Sequence, residues 1–463
     1  MLRRYLVMVA TLVLVPLAVP AGAGSSPLAS SGVGRAGVSQ ERWIVVLKDP
    51  ADLGAVSAVA RHASALGGAV TGYFDGVAAL AVGLARPDLD ALRSDPRVAY
   101  VVADGPVSLL DAGQPSAGWP GIGWPPIGSG PVANAPQVPP GVVRIGAARS
   151  KVSGVPADGP APKAAVAVVD TGIFRRTELN VVGGYDCSHD TLGNVLGGDG
   201  TEDHVGHGTH VAGIIGGRGA IVGVSPGTPL YAVRVFPRFG SAQLSNVVCG
   251  LSWVADHAAE LGIKVVNMSL GGDGTDDGDC GMKDQNPLHT AVCRVVNTGV
   301  TVVVAAGNDS ADLSQTMPAA FRETLTVTAM AAFNGAPGVH GTPPTGCRTK
   351  STDETAADFS DYAVPGGPAT SHVIAAPGVC VTSTWNDGGL KTISGTSMAS
   401  PHVAGLVARC IDAGPCAGLT PAQIIAKLRA DAAARTADSG YVGDSRHPIA
   451  GKYFGDLATV AGY

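Results

Sequence analysis

Charge is scarce in this chain. Lys, Arg, Asp and Glu make up 15% of its 463 residues, 31 basic against 37 acidic, for a formal net charge of −6. No run of Lys and Arg stands out, so the positive field that phosphate binding draws on is missing and nucleic-acid binding is excluded. Long apolar runs are missing as well. The best candidate, residues 5–20, is about sixteen residues long with prolines inside it, short of the ~20 needed to span a bilayer, and no later stretch reaches that length. Cysteines at C-x-x-C spacing are absent, which removes zinc-ribbon chemistry. Glycine (65) and proline (33) are plentiful, and 45% of the chain is hydrophobic. That mixture suits a compact, loop-rich globular protein of two or three domains.

The N-terminus reads Met1-Leu2-Arg3-Arg4, then the apolar run, then Ala21-Gly22-Ala23. A positive segment, a short apolar segment and an A-x-A site in that order make a secretory signal peptide over residues 1–23. No membrane anchor is expected, and the exported chain is expected to be extracellular. The eight cysteines, Cys187, Cys249, Cys280, Cys293, Cys347, Cys380, Cys410 and Cys416, are even in number, and in an exported chain they read as disulfides. Sequence proximity suggests Cys410 with Cys416 and Cys280 with Cys293, leaving the other four to pair among themselves.

Residues 41–105 read as a small unit of βαββαβ type: strands at 43–47, 77–82 and 98–102, helices at 53–66 and 87–94, and a weakly marked strand at 70–73. From 110 to 140 the composition turns to Pro, Gly, Ser, Ala and Trp with almost no charge, the mark of a linker. Beyond it come nearly continuous apolar strands at 164–169, 230–235, 265–268, 300–306 and 325–330, separated by helical patterns at 210–216, 245–261 and 288–298. Apolar strands without alternation, separated by helices, predict a doubly wound α/β fold with a mostly parallel sheet covered on both faces. Ligands of such sheets sit beyond the carboxyl ends of the strands.

The polar residues at those ends are therefore candidates. Asp170 directly follows the first buried strand, where a turn-forming role is the plain alternative. His207 lies in Gly206-His207-Gly208-Thr209-His210, where small residues let the chain turn into a helix and leave an imidazole exposed on it. His204, His207 and His210 are spaced by three, which raises a metal site, yet the H-E-x-x-H pattern is missing and the metal ligands stay unknown. Asn308 ends the strand at 301–306 after Gly307, and its amide could donate to a developing oxyanion. Ser397 opens an apolar helix in Gly395-Thr396-Ser397-Met398-Ala399-Ser400-Pro401-His402, with Pro401 expected within the first turn. A serine there is either an N-cap or a nucleophile whose own N–H points at an oxyanion, with the positive end of the helix dipole behind it.

The order Asp, His, Ser matches one of the known chain orders of the serine-hydrolase triad. The blocks Val168-Val169-Asp170-Thr171-Gly172, Gly206-His207-Gly208-Thr209-His210, Ala305-Ala306-Gly307-Asn308 and Gly395-Thr396-Ser397-Met398-Ala399-Ser400-Pro401-His402 together resemble the signature blocks of subtilisin-like serine proteases, and residues 41–105 resemble that family's inhibitor-type propeptide. The resemblance implies Ser397 as nucleophile, His207 as general base and then acid, Asp170 as the group orienting the imidazole, and Asn308 with the Ser397 N–H as oxyanion hole. It also implies a substrate-binding strand at Ser269-Leu270-Gly271-Gly272. With Ala305, Ala306, Gly307 and Gly395 this strand would border a pocket walled by small residues, suited to large apolar side chains.

The expected organisation is a signal peptide at 1–23, a propeptide at 24–110, a linker at 111–140 and a catalytic domain at 141–463. The expected activity is that of a self-processing, secreted serine endopeptidase with its own propeptide as intramolecular inhibitor, protein or peptide substrates and a monomeric state. The alternatives are a catalytically dead scaffold of the same family, or a secreted esterase, which would need a G-x-S-x-G elbow that Ser397 lacks. Maturation is expected after Leu110. No cofactor is required for the chemistry. Val373 stands where some relatives carry a calcium-binding Asp, so that site is expected to be lost, and the stretch Phe174-Arg175-Arg176-Thr177-Glu178-Leu179-Asn180 stands where the family usually has a His-Pro-Asp-Leu stretch. Structural calcium remains open at the acidic run Asp273 to Asp279, for which a solvated loop is the expected reading.

Overall fold

The computed structural model describes residues 40–49, 52–111, 137–147, 162–188, 198–239, 241–460 and 463. The expected signal peptide and nearly all of the expected linker before residue 137 lie outside the described residues. The first layer contains β1 (Glu41–Leu47), α1 (Leu53–Ala65), β2 (Ala69–Phe74), β3 (Ala79–Leu84), α2 (Leu89–Arg93) and β4 (Val98–Ala103). Its strands form an antiparallel sheet in the order β2-β3-β1-β4, including the weakly marked strand. An extended segment, β5 (Pro106–Leu109), follows directly.

After α3 (Pro140–Arg144) come β6 (Ala165–Asp170), β7 (Val181–Asp186), α4 (His207–Gly216), β8 (Leu230–Arg234), β9 (Ala242–Gln243), α5 (Leu244–Leu261), β10 (Ile263–Met268) and β11 (Leu270–Asp273). Then follow α6 (Pro287–Asn297), β12 (Thr301–Ala305), β13 (Thr316–Met317), β14 (Leu325–Ala331), β15 (Val373–Val379), the hairpin β16 (Val381–Thr384) and β17 (Leu390–Ile393), α7 (Thr396–Ala413) and α8 (Pro421–Ala434). Seven strands build one parallel sheet, β15-β14-β12-β10-β6-β8-β7. The α/β expectation holds.

The pleat explains why these strands are apolar at every position. Along β6, Val166 and Val168 enter the core beneath α4, α7 and α8, whereas Ala165, Ala167 and Val169 enter the core beneath α5 and α6. β1 divides in the same way. Trp43, Val45 and Leu47 pack on Val59, Ala63, Leu89 and Leu92 in a core of their own, while Ile44 and Val46 join the α5/α6 core. The small sheet is thus cemented to the large one through those two helices. Asp104 strengthens the joint: its buried carboxylate accepts from the Ser245 N–H at 2.8 Å and the Ser245 hydroxyl at 2.7 Å, capping α5, with Arg42 Nε at 3.0 Å.

Two strands of the sheet are absent from the pattern reading. β7 contains Gly183 and Gly184, and β15 contains Pro377. Both are edge strands, where such residues are tolerated because one side of the ladder is free. The cysteines pair as Cys187–Cys249, Cys280–Cys293, Cys347–Cys380 and Cys410–Cys416. The acidic run is more ordered than a solvated loop. Asp277 accepts from the backbone N–H groups of Asp279, Gly281, Lys283 and Asp284, which outweigh burial and hold its carboxyl well below the usual range, and Asp276 pairs with Arg322 at 2.7 Å. No helix of the described residues is long and apolar enough to cross a membrane.

Candidate active site

Asp170 ends β6 at the carboxyl edge of the sheet, where β8 and β7 continue to one side and β10, β12, β14 and β15 to the other. This is a topological switch point, the position from which such sheets present their chemistry. Asp170 Oδ1 lies 2.7 Å from His207 Nδ1, and both residues are fully buried. His207 opens α4 behind Gly206, whose φ of +99° belongs to glycine and whose missing Cβ would fall 2.4 Å from the Trp385 ring. The start of α4 is held by Asp203, a residue without a motif in the sequence. Its buried carboxylate accepts from the N–H groups of Val205, Gly206 and Thr209 and from the hydroxyls of Thr171 and Thr209. Burial raises its pKa in spite of those bonds.

The three histidines spaced by three do not converge. His210 Nε2 lies 3.1 Å from the Val381 carbonyl and 3.0 Å from the Lys391 carbonyl. Burial pushes its pKa down to about 3, so the ring is neutral and Nε2–H is the donor. His204 is partly exposed and faces Glu202 at 3.4 Å.

Ser397 stands in the first turn of α7 and is buried. The sequence places Pro401 within that first turn, but α7 begins at Thr396 and Pro401 lies one turn further in. It has no N–H to give the Ser397 carbonyl, and that oxygen instead accepts from the Ser269 hydroxyl at 2.8 Å. Asn267 Nδ2 bonds the Ser269 hydroxyl at 3.0 Å, and Asn267 Oδ1 accepts from Ser400 at 2.8 Å, so β10 and α7 are tied on either side of Ser397. The Ser397 hydroxyl itself donates to the Ser269 carbonyl at 3.0 Å and makes no bond to His207.

Asn308 follows Gly307, whose φ is +121° and whose Cβ would fall 2.0 Å from Asp361 Oδ2. Asp361 is a further residue without a sequence signal. Its buried carboxylate accepts from Asp309 N and Ala311 N at 2.9 Å and holds the loop that carries Asn308, while burial pushes its pKa up to about 6. Asn308 Oδ1 accepts from Thr396 N at 2.9 Å, which fixes the amide with its Nδ2 pointing outward.

What occupies this site is the chain itself. β5 pairs antiparallel with β11, Ser108 opposite Gly271 and Leu109 opposite Leu270, and Leu110 N reaches the Ser269 carbonyl at 3.5 Å. The Leu110 carbonyl oxygen accepts from Asn308 Nδ2 and, at 3.4 Å, from Ser397 N. A Cβ added at Gly271 would sit 3.1 Å from Leu110 Cδ1, so the leucine side chain lies over bare backbone. The next residue, Asp111, places Oδ1 3.2 Å from His207 Nε2. The imidazole expected to be exposed is therefore covered. Burial alone would lower its pKa, but the carboxylates of Asp170 and Asp111 outweigh burial and raise it well above 6.5. Gly272 lies against the Pro106 carbonyl, Ala305 and Ala306 are buried at the end of β12 beside Asn308, and Gly395 N donates to the Gly378 carbonyl at 2.9 Å.

Residues 162–447 match the model of the Subtilase family. The chain belongs to that family. It is similar to the "Extracellular serine proteinase" of Thermus sp. (strain Rt41A), 33% identical over 367 residues covering 77% of this chain and 71% of the relative. It is similar also to the "M-protease" of Shouchella clausii (strain KSM-K16), 31% identical over 72% of this chain and 69% of the relative. Among solved structures, "Sphericase" aligns with a TM-score of 0.54 at 26% identity, covering 71% of this chain and 99% of that one, and "S41 Psychrophilic Protease" with 0.53 at 28%, covering 71% and 100%. This subtilase is a subtilisin-like serine endopeptidase.

Proposed function

We propose that this subtilase is an exported zymogen that cuts itself after Leu110, with Asp170, His207 and Ser397 as catalytic triad and Asn308 with the Ser397 N–H as oxyanion hole. In this reading residues 1–23 direct export, 24–110 form the inhibitory propeptide, 111–140 are an N-terminal arm and 141–463 the catalytic domain. The observation that carries it is the Leu110 carbonyl oxygen, which accepts from both Asn308 Nδ2 and Ser397 N while its side chain rests on Gly271. Four disulfides and a relative named extracellular support export.

The chemistry follows from the geometry. The Ser397 hydroxyl turns from the Ser269 carbonyl toward His207, gives its proton to Nε2 and attacks the Leu110 carbonyl carbon. The carbonyl oxygen gains charge between two fixed donors, where a hydrogen bond is strengthened by the low local dielectric. Asp170 at Nδ1 fixes the tautomer and stabilises the imidazolium that forms. His207 then passes its proton to the Asp111 nitrogen as the peptide bond breaks, leaving Leu110 as an ester of Ser397. Water, deprotonated by His207, hydrolyses that ester and restores the serine. External substrates take the same path with an apolar side chain over Gly271. The test is Ser397→Ala: the variant should stay uncut and hydrolyse no peptide, while wild-type enzyme should show Asp111, or trimmed ends up to about residue 140, as its first residue. A new N-terminus in the Ser397→Ala chain at the same place would refute the reading.

A further inference from the structure

The β16–β17 hairpin stands beside His207, the residue that Asp111 faces just after the Leu110–Asp111 bond. That hairpin is fastened to the helix that carries His207: Ser383 Oγ bonds the His210 carbonyl at 2.7 Å, Thr384 Oγ1 the Thr209 carbonyl at 2.7 Å, and His210 bonds back to the Lys391 carbonyl. Arg176 holds the hairpin's tip through the carbonyls of Trp385 and Gly389, at 2.9 and 2.6 Å. The Trp385 ring lies against Gly206, next to His207, and the Lys391 ammonium sits 3.8 Å from that ring's centroid. Among the described residues no carboxylate comes within ion-pair distance of Lys391. Burial lowers its pKa, and the carboxylates of Asp111 and Asp387 oppose burial. A half-buried cation beside the cleaved bond, stacked on a tryptophan and lacking a fixed counter-charge, faces the one side chain that the chain itself presents there, and that side chain is acidic.

We propose that Lys391 makes this protease selective for an acidic residue immediately after the cleaved bond, the P1′ position, with Trp385 holding the ammonium in place. The proposal rests on the reading of Leu110–Asp111 as the self-cleaved bond. A carboxylate at P1′ stands against His207, beyond ion-pair distance of Lys391 but within the field of its ammonium, and gains an attraction that an amide of the same shape lacks. The two charges are only partly shielded from water, so the gain lies within the surface range of such interactions, about two- to fivefold in kcat/KM.

The processed enzyme is assayed on peptides identical except at P1′, each with Leu before the bond and Asp, Asn, Ala or Lys after it. The expected ratio of kcat/KM for Asp over Asn is about two to five, falling as salt rises. Lys391→Met should bring that ratio near one, Lys391→Arg should keep it above one, and Lys391→Glu should make Lys the better P1′ residue than Asp. A ratio near one in the wild type, or one that Lys391→Met leaves as it was, overturns the proposal while the self-cleavage reading stands. Failure of the wild-type enzyme to cut any peptide after Leu would overturn that reading, and this proposal with it.

Discussion

Asp104 is the residue through which the small N-terminal sheet grips the catalytic domain, and its removal gives a quantitative test. The side chain is fully buried and supplies two short hydrogen bonds to Ser245, at the N-terminal end of an 18-residue helix. Hydrogen bonds to a charged acceptor contribute about 1.5–3 kcal/mol, and a buried donor left without a partner costs about 1–3 kcal/mol. In the proposed mature enzyme, which lacks the small sheet, water can satisfy the Ser245 N–H in wild type and variant alike, so the loss falls on the complex. Arg42 lessens it little, because its side chain is 42% exposed and already hydrated. Counting the overlap of these terms, Asp104→Ala should weaken the grip by about 2–4 kcal/mol, or roughly 30- to 1000-fold in inhibition constant. The assay adds a polypeptide of residues 41–110 to processed enzyme and measures inhibition of peptide hydrolysis, with circular dichroism on each variant to establish that it folds. Asp104→Asn, which keeps an acceptor but no charge, should fall between. A folded Asp104→Ala segment that inhibits within threefold of wild type would refute the capping argument.

Three further outcomes are expected. Asn308→Leu should slow self-cleavage and kcat by about 10²–10³, or roughly 2.7–4 kcal/mol, with KM little changed, a magnitude carried over from the equivalent donor in subtilisin rather than worked from this chain; a pure KM effect would assign Asn308 to substrate binding alone. His207 is held well above 6.5 by Asp170 and Asp111, and in the proposed mechanism it must be neutral to act as base, so self-cleavage should rise with pH through that elevated pKa. Asp111→Asn should move the profile to lower pH, and an unmoved profile would show that the 3.2 Å contact has no electrostatic weight. Finally, the denatured, unreduced protein should show no free thiol, and replacing Cys187 and Cys249, which are 62 residues apart, with serine should lower the unfolding free energy by roughly 4 kcal/mol at most.

Asp111 thus has two effects of opposite direction. Under the proposed reading its charge, in the field of Lys391, favours docking of the bond, and against His207 it favours the protonated form that cannot act as base. The first acts on binding at any pH where both groups are charged; the second fades as pH rises.

The chain order of Asp170, His207, Asn308 and Ser397, and the doubly buried sheet that presents them, were legible in the sequence because both depend on short-range patterns. A strand buried on two faces must be apolar at every position, and a nucleophile at a helix start needs small neighbours within a few residues. The edge strands β7 and β15 escaped because their glycines and proline break the pattern where only one ladder side must be satisfied. Asp203, Asp361 and Asp104 escaped for a different reason: each stabilises a backbone turn or helix end through hydrogen bonds, and an isolated aspartate in a loop carries no mark of the distant N–H groups it will meet. Pro401 could be read as a helix-start residue, but only folding brought Ser269 to the carbonyl it leaves open. Most of all, the sequence pointed to Leu110 as the cut, whereas the meeting of its carbonyl with Asn308, 198 residues away, and the seating of Lys391 on the Trp385 ring next to Gly206 are products of tertiary packing. Local patterns fix which residues can do chemistry; the convergence of distant loops on one strand edge decides which of them touch the substrate.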